Sequence, residues 1–192
     1  MNMFHNKICP AKFRSARLDN CKNVPAECVD YGMEWAKNPQ SIFIHGPVGV
    51  GKTHYAFALI WEMMLTQRAR FWPVYHTSPR LDSLLLKNLL DAGDMQILNT
   101  LAEADLLFID DLGRETRSDR IKRQYFEIFD NRYTSGLPTI ITSNLNLDVL
   151  SSNLDEAITS RFQEWMIMEI KGPDLRPSKQ FVYRAGENKC IG

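Results

Sequence analysis

Gly46-Pro47-Val48-Gly49-Val50-Gly51-Lys52-Thr53 is the stretch of this chain whose residue types and spacing best define a chemistry. It fits G-x-x-x-x-G-K-[ST]. The glycines let the backbone curl until its N–H groups point inward at an anion. A helix that begins where the loop ends turns its positive end on the same anion. Lys52 would place a compact charge at the outer phosphates of a nucleotide, and the Thr53 hydroxyl suits Mg²⁺. The loop therefore predicts a nucleoside triphosphate held by Gly46, Pro47, Val48, Gly49, Val50, Gly51, Lys52 and Thr53.

A bound triphosphate needs a metal anchor and a means of activating water. Leu106-Leu107-Phe108-Ile109-Asp110-Asp111 is four apolar residues followed by two acids. The apolar run buries a strand and the acids emerge at its tip. Asp110 is the candidate to hold Mg²⁺ through water, since Mg²⁺ keeps much of its hydration shell. Asp111 is the candidate to orient or deprotonate the attacking water. Two acids before Gly113 also describe a solvated turn; the upstream phosphate loop tips the balance toward catalysis. Thr142-Ser143-Asn144 closes another apolar run. The Asn144 amide could hold the water or a γ-phosphate oxygen without competing for metal, although Asn also caps turns.

The elements that must position these residues follow from the pattern. Pro25 suits the first turn of a helix running to Lys37, before Pro39. Ser41 to His45 predicts a buried strand, and Thr53 to Arg68 a helix. Phe71 to Tyr75 predicts a second strand, which Pro73 weakens or puts on an edge. Helices are predicted over Pro79 to Leu90, Met95 to Glu103, Ser118 to Arg132 and Leu154 to Phe162. Strands are predicted over Leu106 to Ile109, Thr139 to Thr142 and Trp165 to Ile170. Alternating strands and helices imply an α/β fold, a parallel sheet with helices on both faces. Ligands in such folds sit beyond the carboxyl ends of the strands, where all three motifs fall. Residues 1–24 read as a polar N-terminal arm, 25–172 as the core, and 173–192 as a loosely ordered tail.

These motifs, in this order, resemble AAA+ ATPases, and more finely the DnaC/IstB helicase-loader family. The matching stretches are Phe43 to His54, Leu107 to Gly113 and Leu137 to Leu145, with Asn131-Arg132-Tyr133 also similar. Most AAA+ proteins carry Asp-Glu where this chain has Asp110-Asp111, as the loader branch does. The likeness runs from Pro10 to Arg176 and covers the ATPase core alone, so the N-terminal helicase-gripping domain of cellular loaders is not expected here. It implies a P-loop AAA+ core with a five-stranded parallel sheet and a vestigial C-terminal lid. It adds His54 to the nucleotide-binding set. It makes Arg161, in Ser160-Arg161-Phe162, an arginine finger directed at a neighbouring subunit's γ-phosphate, and Arg176 a sensing arginine. The implied activity is a slow ATPase with ATP and Mg²⁺, stimulated by DNA or assembly. The implied role is that of a replicative-helicase loader that self-associates on single-stranded DNA. A transposition helper serving a transposase is the alternative within the family; a small-molecule nucleotide kinase and an ATP-gated binding module are the alternatives outside it.

Bulk composition fits this reading. The 192 residues hold 23 basic and 23 acidic side chains, so only local patches can favour nucleic acid. One patch is Arg114, Arg117, Arg120, Lys122 and Arg123; another is Arg80 with Lys87. Phosphate contacts from either would be salt-sensitive, although Glu115 and Asp119 interleave with the first. Phe71, Trp72 and Tyr75 suit the core better than base stacking. Apolar runs are too short for a membrane span and no secretory leader is evident, so a cytoplasmic protein without a membrane partner is expected. The 4 cysteines lack zinc-ligand spacing and read as reduced thiols.

Overall fold

Short runs of β-branched and aromatic residues become the strands of one sheet: β1 (Ile42–His45), β2 (Pro73–Thr77), β3 (Leu106–Asp110), β4 (Thr139–Ser143) and β5 (Met166–Glu169). The computed structural model describes residues 9–67, 73–90, 95–113 and 117–176. All strand pairs are parallel, in the order β2-β3-β4-β1-β5. This is the five-stranded parallel sheet that the resemblance implies. The helix α1 (Ala26–Lys37) precedes the first strand, and between the strands lie α2 (Lys52–Thr66), α3 (Ser78–Leu90), α4 (Met95–Ala102), α5 (Asp119–Thr134), α6 (Leu147–Asn153) and α7 (Glu156–Phe162). Pro73 opens the edge strand β2, where its missing N–H costs no ladder bond.

Side chains alternate across the sheet and divide the interior in two. Ile42, Ile44, Phe108 and Ile140 face α1 and α2. Phe43, Leu107, Ile109 and Ile141 face α3, α5 and α7. β3 and β4 are buried along their whole length, so their registers are fixed from both faces. The register sets Thr77 beside Asp110 and His45 beside Ser143. The phosphate loop after β1, the acids of β3 and the polar end of β4 thus meet at one end of the sheet.

Two expectations change. Residues 9–24 are not an irregular arm: they form two 3₁₀ turns, Ala11–Phe13 and Leu18–Asn20. Cys9, Ala16 and Leu18 are buried in the first core half. The helix expected from Leu154 to Phe162 begins two residues later, as α7, and a further short helix that was not expected, α6, precedes it. The Asn146 side chain caps α6 at the Val149 N–H (3.0 Å), and Asp155 caps α7 at the Ala157 N–H (2.8 Å). A cap residue holds extended backbone geometry, so Asp155 interrupts the helical run. Among the described residues no helix is long and apolar enough to cross a membrane, and no cluster of metal-ligating side chains forms. Burial pushes the Cys9 thiol to about 11 and Cys21 to about 12, so both stay protonated at neutral pH.

Arg132 closes the sheet's other end. It is 1% exposed. Its Nη1 donates to the carbonyls of Leu101, Ala102 and Ala104 at 2.9, 3.1 and 2.8 Å. Nη2 donates to the Pro138 carbonyl at 2.6 Å and Nε to Thr139 Oγ1 at 2.9 Å. Burial pulls the group down to about 10, with Asp105 opposing, so it remains charged at neutral pH. Arg132→Met removes the donor for three carbonyls at the α4–β3 turn; we expect a loss of about 3–5 kcal/mol in a denaturant titration. Arg132→Lys should fail to restore it, because one ammonium cannot span acceptors placed for a planar fork.

Candidate functional site

The phosphate loop takes its shape from glycines at positive φ. Gly49 adopts φ 82°, and a Cβ there would collide with the Asp174 carboxylate. Gly46 adopts φ 146° and lies against the Ile170 carbonyl, leaving no room for a side chain. Gly51 then opens α2, so the free N–H groups of the first turn face the loop's interior. Lys52 is 7% exposed. Its ammonium donates to the Gly46 carbonyl (2.8 Å), the Pro47 carbonyl (2.7 Å) and Asn144 Oδ1 (2.7 Å).

Asp110 is also nearly buried, 9% exposed. It accepts from the Thr53 hydroxyl at 2.7 Å and the Thr142 hydroxyl at 2.6 Å. Tyr75 donates to its other oxygen at 3.4 Å. Burial pushes the Asp110 carboxyl above its ordinary range; the two threonine hydroxyls oppose this, Asp111 adds to it, and Lys12 opposes it. A hydroxyl and a carboxylate converging beside the phosphate loop form a hard-oxygen donor set that fits Mg²⁺. Bound there, the ion would neutralise phosphate charge, with Thr53 and Asp110 as the residues that hold it.

Asp111 is the one non-glycine residue at positive φ among the described residues, at 60°. Its N–H donates to Thr142 Oγ1 at 3.0 Å, and its carboxylate accepts from the Asn144 amide nitrogen. Asn144 therefore stands between charges of opposite sign, its oxygen toward Lys52 and its nitrogen toward Asp111. A carboxylate in its place would repel Asp111, and an apolar group would leave both charges unbridged. Thr142 is the residue that sequence reasoning did not single out. One hydroxyl accepts from the Asp111 backbone and donates to Asp110, setting both acids at once. Its place one step before Ser143-Asn144 at a strand end was the available signal.

These groups line one cleft of about 380 Å³ together with Lys12, Phe13, Val48, Gly49, Gly51, His54 and Arg176. Pro47 is exposed at the loop's rim, and Val50 is buried beneath it. His54 Nε2 meets Asn20 Oδ1 at 2.6 Å, and burial lowers its proton affinity. Arg176 reaches the cleft while paired with Asp174, its Nε 3.0 Å from both carboxylate oxygens. The segment carrying it is tied down: the Leu175 N–H donates to the Gly49 carbonyl at 2.9 Å. Asn23 Nδ2 donates to both Val50 O (3.1 Å) and Pro173 O (2.9 Å).

The other expected residues lie apart. Arg161 ends α7 away from its own cleft. Its Nε donates to Asp130 Oδ1 at 3.1 Å, Nη2 to the same oxygen and Nη1 to the Ala157 carbonyl. The guanidinium lies over the Phe126 ring at 4.6 Å. Arg80 and Lys87 are exposed on α3, and Arg120 and Arg123 are exposed on α5, with Lys122 half-buried between them. Arg117 corrects the expected DNA patch. It is 6% exposed, donates to Asp82 (2.9 Å) and Ser78, and stacks on the Tyr125 ring. It joins α3 to α5 and is turned away from solvent. Arg114 lies outside the described residues, as do Phe71 and Trp72. Tyr75 packs on Phe57 and Phe108, ring centroids 5.0 and 5.1 Å away.

A family model described as IstB-like ATP binding protein matches residues 13–171. The chain is similar to the chromosomal replication initiator protein DnaA of Caldanaerobacter subterraneus subsp. tengcongensis, 28% identical over 166 residues, which cover 86% of this chain and 37% of that protein. It spans about a third of the length of the relatives it matches. Among solved structures it resembles the DnaC helicase loader, with TM-score 0.74, 24% identity and coverage of 84% of this chain and 100% of that one. It also resembles the replication initiator DnaA bound to AMPPCP and single-stranded DNA, with TM-score 0.70, 23% identity and coverage of 82% and 50%.

Proposed function

The chain belongs to the IstB-like ATP-binding family, and from that premise we propose that it is an ATP-hydrolysing replication factor that loads a helicase by assembling on single-stranded DNA. The observation that carries the reading is the convergence of Lys52, Thr53, Asp110, Asp111 and Asn144 in one cleft. The phosphates meet the loop amides and Lys52. Asp111, steadied by Asn144, takes a proton from the attacking water. None of these five supplies a guanidinium for the charge that spreads over the phosphoryl oxygens in the transition state, and Arg176, which lines the same cleft, is held by Asp174. Arg161 supplies it from the next subunit, which is why it stands outside its own cleft. ATP then lies between copies and favours assembly; hydrolysis releases it. The likeness to a DnaC helicase loader and to a DnaA bound to single-stranded DNA supports the DNA role. Exposed Arg80 and Lys87, with Arg120 and Arg123, offer phosphate contacts.

Arg161→Ala should leave nucleotide affinity within a factor of about two and lower turnover by about 10²-fold or more, as finger arginines do. Mixing tests the shared site. In a mixture of Arg161→Ala with Lys52→Ala, some interfaces pair an intact Lys52 with an intact Arg161, so turnover should recover to part of the wild-type rate. Turnover in Arg161→Ala equal to wild type, or a mixture no better than its components, would remove Arg161 from the site. Running the assay with a single-stranded oligonucleotide tests the DNA role. Stimulation that fades with rising salt is expected; turnover indifferent to DNA, together with no DNA retention, counts against it.

A further inference from the structure

The 3₁₀ turn Ala11–Phe13 is fixed to the nucleotide helix. The Phe13 N–H donates to the Pro10 carbonyl at 2.9 Å. The Phe13 ring stacks on Phe57 of α2 at 5.0 Å, and Trp61 Nε1 donates to the Phe13 carbonyl at 3.2 Å. Ala16 and Leu18 are buried just beyond. The backbone of Lys12 is thus held while its side chain stays exposed, and Lys12 lines the same cleft as Lys52, Thr53, Asp110 and Asp111. Among the described residues, the contact its ammonium makes is with its neighbour's ring, 4.5 Å from the Phe13 centroid.

The cleft's charge is unbalanced for a polyanion. A triphosphate brings several negative charges beside Asp110 and Asp111. Lys52 is already engaged by two carbonyls and Asn144, and Arg176 by Asp174. Beside Lys52, the metal ion and Arg161 of the next subunit, the exposed Lys12 ammonium on its fixed turn is a further cation of the cleft able to answer the phosphates. Resting on the nucleotide reading above, we propose that Lys12 is a nucleotide-binding residue that contacts the terminal phosphate of ATP, supplied by the N-terminal turn and independent of the phosphate loop.

The test is a direct titration of the full chain with ATP and with ADP in the presence of Mg²⁺, using wild type, Lys12→Met, Lys12→Arg and Lys52→Ala. Lys12→Met should bind ATP about tenfold more weakly, the worth of one charge-assisted contact. ADP affinity should change far less, because the missing partner is the terminal phosphate. Lys12→Arg should retain most of the ATP affinity. The melting midpoint should not move, since the side chain is exposed. Unchanged ATP affinity in Lys12→Met overturns the proposal. So does an equal loss for ATP and ADP, which reports a displaced turn. So does tighter ATP binding, which makes Lys12 a competitor of the metal for Asp110 and Asp111. Wild type that binds no ATP, or Lys52→Ala that binds like wild type, would sink the underlying nucleotide reading instead.

Discussion

Lys52→Ala should bind ATP at least 10²-fold more weakly than wild type, a loss of about 3 kcal/mol. The size follows from burial. The ammonium sits 7% exposed within the loop, where its field is far less screened than at a surface. With the lysine gone, the loop amides still point at the phosphates, but the buried charge within the loop is lost. Stability should fall less, by about 1–2 kcal/mol, because Pro47 is exposed and its carbonyl can turn to water, although the buried Gly46 carbonyl loses its donor. A titration calorimeter and a thermal melt on the same sample separate the two effects. Lys52→Arg is the stricter probe. The carbonyls of Gly46 and Pro47 hold one compact donor at 2.8 and 2.7 Å; a planar fork is longer and wider, so it should recover little affinity. A folded Lys52→Ala protein that binds ATP as wild type does would remove the lysine, and with it the phosphate-site reading.

The parts of this site legible in the sequence share one property: they are local. The loop is a spacing, and the strand before Asp110 is an apolar run with acids at its tip. The sheet's face alternation follows from period, as Phe43 and Ile44 in opposite core halves show. What the sequence hid depends on partners distant along the chain. Arg117 sits in a basic stretch and looks like a DNA contact; only the approach of Asp82 and Ser78, from α3, makes it a buried strut. Arg132 is equally basic on paper, yet five acceptors from two turns enclose it. Thr142 is one threonine among several until β3 and β4 pair and bring its hydroxyl to both acids. The N-terminal residues are polar enough to suggest an arm, because the burial of Ala16 and Leu18 needs α2 beneath them. The helix Leu147–Asn153 was legible in principle, since the Asn146 and Asp155 caps are local, but its seven residues are too few to show a period.

Asp111→Asn should keep ATP affinity within a factor of about two and lower turnover by about 10²–10³-fold, the range lost with a general base. The geometry makes this a clean substitution. Asp111 holds φ 60°, a left-handed backbone that Asn accepts as readily as Asp. Its N–H bond to Thr142 Oγ1 involves the backbone alone. The Asn carbonyl can still accept from Asn144 Nδ2, so neither Asn144 nor Lys52 need move. What disappears is the negative charge that orients and draws a proton from water. Asp110→Asn is the contrasting change: it weakens the hard-oxygen set beside Thr53 and should reduce magnesium-dependent ATP affinity as well as turnover. The two variants therefore split along different axes, binding spared in one and impaired in the other. Turnover is measured as phosphate release, and affinity by titration under the same magnesium concentration. Wild-type turnover in Asp111→Asn would show that water is activated by another group, and the short, amide-bridged acid at the end of β3 would be a structural cap and no more.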